Sequence, residues 1–248
     1  MNTNFLNALL DTASQITLEY FGADNLNVES KADNSPVTVA DKLAERTLRA
    51  LIKQSYPDHG IFGEEFGMEN PDAEYMWVID PIDGTRAFMN NIDTFANMVG
   101  LLHRGVPIMS AVGFPARGER YMGIDDKAYL NGLEITASSA PLNECKVAYT
   151  GAYMFNSDEF DTVEMLASRC EGVIEGGDAY NYCRVACGDN RVVVESDLKP
   201  YDFLPLIPII NGAGGTITDW NGNALTLNSG EQVVAGGGAY GDALGNLR

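Results

Sequence analysis

The stretch from Trp77 to Phe88, WVIDPIDGTRAF, constrains this chain more than any other. Met76 to Ile79 form a short apolar run with β-branched members, which suits a buried strand. Asp80 and Pro81 are expected to end it, because proline offers no ladder donor and fixes its own φ. Asp83, Gly84 and Thr85 then open a short helical turn. Two carboxylates three residues apart at a strand end converge on one point beside a glycine. The glycine admits a ligand to the backbone, and free N–H groups at such a start attract anions. Close carboxylates in a dry site need a shared proton or a cation between them. Mg²⁺ takes such oxygen ligands and shares its remaining positions with water and phosphate. Alone, Asp80 and Asp83 are as well read as caps of a turn, so the rest of the chain must decide.

Composition narrows the partners. Lys and Arg number 16 against 35 Asp and Glu, a formal net charge of −19, and no basic run occurs. That excludes a nucleic-acid surface and requires metal ions if phosphates are to bind. No run of about 18 apolar residues occurs, so no membrane span is expected. No Lys or Arg precedes Lys31, so the start lacks the basic region of a secretory signal. The four cysteines, Cys145, Cys170, Cys183 and Cys187, form no C-x-x-C pair and read as reduced, buried thiols. A cytoplasmic protein is expected. With 45% hydrophobic residues over 248 positions, the chain can build a substantial core.

Helical spacing of Phe5, Leu6, Leu9, Leu10, Ala13, Ile16 and Tyr20 predicts an amphipathic helix over 4–21, ended by Gly22. Residues 23–37 are polar and turn-rich, a hairpin-like flap that contains Lys31. A second helix starts near Thr38, where Thr38 and Asp41 have capping-box spacing. Asp41 thus has a structural explanation of its own. A turn over 56–60 leads into a short strand and the acids Glu64 and Glu65. Apolar runs at 92–102 and 106–114 predict two strands joined through His103-Arg104-Gly105, with further short strands over 119–129. Beyond a boundary near residue 135, strands at 139–151, 173–176 and 191–195 alternate with helices at 157–170, 178–188 and 201–213. Strands at 216–220 and 232–235 finish the chain. Such alternation favours an α/β fold with helices on the sheet faces, in two subdomains of about 1–135 and 136–248.

The chemistry is acidic. Neither His59 nor His103 stands near a nucleophile elbow, and there is no P-loop signature. Asp41, Glu64, Asp80, Asp83 and Asp202 each fall near the end of a predicted element. Oxygen-only ligation beside a phosphate-friendly turn suggests metal-assisted hydrolysis of a phosphate ester.

These residues carry a resemblance. Gly63-Glu64-Glu65, Trp77–Thr85, the Lys31–Asp41 region and KPYDFLPLIPIINGAGGTITDW at 199–220 are similar to the ordered motifs of the inositol monophosphatase family. The resemblance implies a layered αβαβα sandwich and a Mg²⁺-dependent, lithium-sensitive phosphatase with two or three ions, often dimeric. It assigns Glu64, Asp80, Asp83 and Asp202 as metal carboxylates and the Ile82 carbonyl as a backbone ligand. It assigns Thr85, paired with Asp41, to the attacking water, with Glu64 in the catalytic set. It places the phosphate on the N–H groups of Gly84 and Thr85, and Lys31 near a weaker metal. Asp83, Arg86, Gly177, Asp178, Glu195 and Asp202 would surround the substrate. Tyr201 and Gly176-Gly177-Asp178 depart from the inositol-specific members. Asp83–Phe88, Gly176–Tyr180, Leu198–Phe203 and Pro208–Trp220 instead resemble the histidinol-phosphate phosphatase branch, implying a place in histidine biosynthesis. The alternatives are an inositol-1-monophosphatase or promiscuous monoesterase, a 3′(2′)-nucleotidase, and a non-catalytic phosphate-binding protein.

Overall fold

The computed structural model describes residues 3–23, 26, 28–30 and 36–248. Helix α1 (Thr3–Tyr20) leads to a two-residue pair, β1 (Glu29–Ser30) and β2 (Pro36–Val37). These are the arms of the predicted flap; Lys31 and the turn at 33–35 lie outside the described residues. Helix α2 (Val39–Ser55) follows, then β3 (Gly60–Gly63), β4 (Gly67–Glu69) and β5 (Tyr75–Asp83). A short α3 (Thr85–Met89) precedes the meander β6 (Ala96–His103), β7 (Val106–Phe114), β8 (Glu119–Ile124), β9 (Lys127–Leu130) and β10 (Leu133–Ile135). The eight strands β3–β10 form one sheet in the order β10-β9-β8-β7-β6-β5-β3-β4.

The remainder builds a second, five-stranded sheet. Its elements are β11 (Lys146–Tyr149), α4 (Ser157–Ala167), β12 (Gly172–Glu175), α5 (Asp178–Ala186), β13 (Arg191–Glu195), α6 (Pro200–Phe203), α7 (Ile207–Gly212), β14 (Thr216–Thr218), β15 (Val233–Gly236) and α8 (Tyr240–Leu247). The strand order is β12-β11-β13-β15-β14.

Alternation along the strands sorts these elements into five layers. Trp77 and Ile79 on β5 pack with Leu6, Leu9 and Leu10 of α1 and Leu48 and Ile52 of α2. Met76 and Val78 point the other way, into a core shared with Tyr182, Cys183, Ile209 and Ile210. Val193 joins that middle core, whereas Val192 and Val194 face Val163 and Leu166 of α4 and Ala243 and Leu247 of α8. The result is the expected αβαβα sandwich, because period-two side chains on two sheets must each find a helix layer on both faces.

Several boundaries differ from the sequence expectation. Strand β5 does not stop at Pro81. It continues to Asp83 through a register shift, pairing Asp80 with Met98 and then Asp83 with Ala96. The extra residue is a bulge, so the N–H that Pro81 lacks is not needed by the ladder. The strand expected from residue 139 starts only at Lys146, after a 3₁₀ turn at Leu142–Glu144. The helix expected over 201–213 is three pieces, with Leu204–Leu206 in 3₁₀ form; Pro205 and Pro208 remove the donors a continuous helix would use. Helix α8 was not anticipated at all. Among the described residues, no helix is long and apolar enough to cross a membrane.

The middle layer sits very close to the large sheet. A Cβ at Gly123 would overlap the Pro208–Ile209 backbone, and one at Gly100 would lie 3.2 Å from the Pro205 Cα. Gly123→Ala should therefore overpack β8 against α7. We expect a Tm fall of about 2–12 °C, from a cost of about 1–3 kcal/mol at about 2–4 °C per kcal/mol. Gly172→Ala, with open space at its Cβ, should shift Tm little; thermal melts of the two variants check this.

Candidate active site

Three carboxylates meet where the two sheets and the middle helices converge. Strand β5 supplies Asp80 and Asp83 and α6 supplies Asp202, with one oxygen of each within 4.8 Å of the others. Asp80 is buried and the other two half-buried. Desolvation, then the charges of Glu64, Asp83 and Asp202, hold the Asp80 carboxyl well above the usual range. Desolvation likewise raises Asp83, ahead of Asp178 and Asp202, against the Ala179 N–H that donates to it at 2.8 Å. Asp202 is pushed up to about 8 by desolvation and Glu64, although the Lys199 N–H donates to it at 2.7 Å. Among the described residues no Lys or Arg forms an ion pair with any of the three; the Lys199 ammonium is engaged by Asp197 and Glu231. A converging set of carboxylate oxygens with no ion-paired Lys or Arg among the described residues fits a hard divalent cation such as Mg²⁺.

The bulge shapes this cluster. Ile82 N–H donates to Asp80 Oδ1 at 3.0 Å, and Thr85 Oγ1 donates to the Ile82 carbonyl at 3.1 Å. The Ile82 side chain is buried with Ala40, Phe88 and Phe95, which turns its carbonyl toward Thr85. Asn97 Nδ2 donates to the Pro81 carbonyl at 2.7 Å, while its Oδ1 accepts from Ser14 and Thr17 of α1. Gly84 has φ 75°, and a Cβ there would sit 2.9 Å from Asp178 Oδ2, so glycine is favoured on both counts.

Asp41 is both a cap and an orphan. Its Oδ2 accepts from the Thr38 N–H at 2.7 Å and the Thr38 hydroxyl at 2.5 Å. Its Oδ1 is buried without a partner. Burial pushes its pKa to about 6, with the Thr38 bonds opposing and the Glu64 charge adding. The hydrogen bonds of Thr85 and Asp41 thus go to Ile82 and Thr38, and no direct bond joins the pair that the resemblance implied.

A cleft opens above the cluster and is lined by Glu64, Asp83, Gly84, Thr85, Arg86, Thr150, Tyr153, Asp178, Tyr182, Glu195 and Asp202. Gly177 lies beside it, at φ 109°, between Gly176 and Asp178, which also have positive φ. Asp178 is pushed up to about 6 by desolvation, against the nearby Arg86. Arg86 lies over the Tyr153 ring at 5.2 Å. Glu195 Oε1 accepts from the Thr150 N–H at 3.0 Å and its hydroxyl at 2.9 Å. Its Oε2 and the Tyr182 hydroxyl are buried without partners.

Every site residue read from the sequence except Lys31 and Gly177 either lines this cleft or, like Asp41, Asp80 and Ile82, lies within or against the acid cluster. Sequence reading missed Asn97, Thr150 and Tyr182. Asn97 in an apolar run was a signal that a strand side chain holds a backbone irregularity; Thr150 and Tyr182 gave none.

Residues 2–246 match the model of the inositol monophosphatase family. It is 37% identical over 233 residues to a chloroplastic bifunctional phosphatase of Arabidopsis thaliana, covering 92% of this chain and 67% of that protein. A histidinol-phosphatase of Chlorobaculum parvum is 35% identical over 237 residues, covering 94% of this chain and 91% of the relative. The solved inositol monophosphatase of Zymomonas mobilis superposes with a TM-score of 0.89 at 37% identity, covering 98% of this chain and 96% of that one. The chain belongs to the inositol monophosphatase family and is a phosphoric monoester hydrolase.

Proposed function

We propose that this chain hydrolyses L-histidinol phosphate to L-histidinol and phosphate. In this reading Glu64, Asp80, Asp83, Asp202 and the Ile82 carbonyl hold two or three Mg²⁺ ions. When bound, Mg²⁺ neutralises phosphate charge and makes water a better nucleophile. The N–H groups of Gly84 and Thr85, first donors of α3 without intrahelical acceptors, take phosphate oxygens. Thr85 orients the attacking water, and Asp41 Oδ1 accepts its proton. A pKa of about 6 suits that task near neutral pH. The same reading carries a cytoplasmic homodimer.

The observation that supports the substrate is the pair Asp178 and Glu195 on the alcohol side of the cleft. Burial holds both carboxyls above their ordinary range. Inositol has no charge to offer them, while histidinol phosphate brings an ammonium and an imidazole that would favour their ionised forms. A second phosphate finds little welcome: Arg184 is held by Asp189, and Lys199 by Asp197 and Glu231. The relative from Chlorobaculum parvum bears the corresponding name.

Three outcomes test this function. The carboxyls of Asp80, Asp83 and Asp202 lie above their ordinary 3.8, so between about pH 4 and 8 the metal-free fold binds more protons than the unfolded chain. Its stability must fall as pH rises through that window. We expect Tm in chelator to be lower at pH 8 than at pH 5.5, and excess Mg²⁺ to close the gap; a Tm that rises with pH and ignores Mg²⁺ contradicts the metal reading. Asp41→Asn retains a capping oxygen, worth about 1 kcal/mol, and should melt within a few degrees of the parent. Its kcat should fall by about 10²–10⁴, and an early-melting variant whose folded fraction turns over normally would favour the cap alone. Finally, kcat/KM for histidinol phosphate should exceed that for inositol 1-phosphate. Asp178→Asn and Glu195→Gln should each lower the former by about 10- to 100-fold, the value of a charge-assisted bond, and equal efficiency on both substrates in all three proteins refutes the assignment.

A further inference from the structure

Helix α2 buries a second acid one turn beyond Asp41. Glu45 is fully buried, and Arg49, a turn further on, is nearly so. The Glu45 carboxylate turns toward the connection between β3 and β4. Its Oε2 accepts from the Glu65 N–H at 2.7 Å, and its Oε1 from the Phe66 N–H at 3.2 Å and from Arg49 Nε at 2.8 Å. Arg49 also donates to the Gly67 carbonyl and approaches Glu69 at 3.6 Å. Gly63 completes the fit, since a Cβ there would overlap the Glu45 carboxylate. The turn Glu64–Gly67 is therefore held from beneath by one carboxylate and one guanidinium, both from α2.

That turn carries Glu64, whose charge acts on Asp80, Asp202 and Asp41. The Glu64 N–H donates to the Ile79 carbonyl of β5 at 3.2 Å, so β5 fixes the start of the turn and Glu45 fixes the two residues that follow. We propose that Glu45, braced by Arg49, is a positioning residue that holds Glu64 in the ligand set before the metal arrives. This rests on the reading of Glu64 as a Mg²⁺ ligand. The i, i+4, i+8 stripe Asp41-Glu45-Arg49 gives α2 two duties, one acid at the nucleophile and one under a ligand loop. Losing a partner that orients a metal ligand costs about 10- to 100-fold in metal affinity.

Three variants and three measurements test this: Mg²⁺ affinity by calorimetry, amide hydrogen exchange in metal-free protein, and kcat at saturating Mg²⁺. Glu45→Gln places an NH₂ where one donor needs an acceptor. It should weaken Mg²⁺ binding by about 10- to 100-fold and speed exchange at Glu65 and Phe66, leaving Val193 and Val234 protected as before. Activity at saturating Mg²⁺ should keep most of its kcat. Arg49→Lys, which keeps the charge but loses the planar contact, should move affinity and exchange the same way by less, and serves if Glu45→Gln does not fold. Unchanged Mg²⁺ affinity in Glu45→Gln or Arg49→Lys, beside weakened affinity in Glu64→Gln, overturns the positioning role and leaves the proposed function standing. Unchanged affinity in Glu64→Gln removes Glu64 from the ligand set and the inference with it.

Discussion

The structure is organised against one electrostatic cost, the repulsion among Asp80, Asp83 and Asp202 with their oxygens within 4.8 Å. Burying charges of one sign together is unfavourable unless protons or cations intervene. Here the fold holds them in place by backbone devices. Each carboxylate accepts a main-chain N–H: Asp80 from Ile82, Asp83 from Ala179, Asp202 from Lys199. Such bonds favour the ionised form and fix its direction without introducing a competing cation. The carboxyls are thus ordered even though burial and mutual repulsion favour protonating them, and a hard divalent ion would replace those protons on ligands already aimed.

The layers explain how residues so far apart in sequence share this point. Strand β5 has helices on both faces, so its side chains alternate between two cores until the bulge at Asp80–Asp83 breaks the period. The bulge aims both acids at the end of the sheet, and Asn97 ties it to α1 through Ser14 and Thr17. The proline-broken stretch from α6 to α7 then crosses that strand end and delivers Asp202. Its close approach depends on Gly100 and Gly123, where no side chain intervenes.

Much of this was legible in the sequence, for reasons that separate what was read from what was missed. Alternating and helical periodicities located α1, α2, β5 to β9 and α5, because those elements bury one face or both. Thr38 and Asp41 announced the capping box that is present. The acids were legible as a set because each sits at an element end. Pro81 misled, since a proline ends a regular strand and yet suits a bulge, and only the partner strand β6 decides between them. Helix α8 was obscured by Gly241 and Gly245, which weaken its propensity; it forms because Ala243 and Leu247 pack on the five-stranded sheet. Glu45 and Arg49 have the spacing of an ordinary i, i+4 surface pair. Their burial depends on a turn 20 residues away, which no local pattern encodes.

The two sides of the cleft obey different rules. On the phosphate side as proposed, the donors are backbone N–H groups and the metal ligands include carboxylates held by main-chain bonds, so little could vary without loss of the metal. On the alcohol side, Asp178 stands on a run of three positive-φ residues, and Glu195 Oε2 and the Tyr182 hydroxyl lack partners. Unsatisfied buried groups and strained backbone cost stability, and they persist where a ligand completes them. Asp178 also faces Arg86, an exposed cation stacked on Tyr153. Under the proposed function, a cationic alcohol would bring opposite charge to both carboxyls, which a neutral polyol cannot do. On that proposal, selectivity follows from charge compensation on one wall of the cleft and the chemistry from the other.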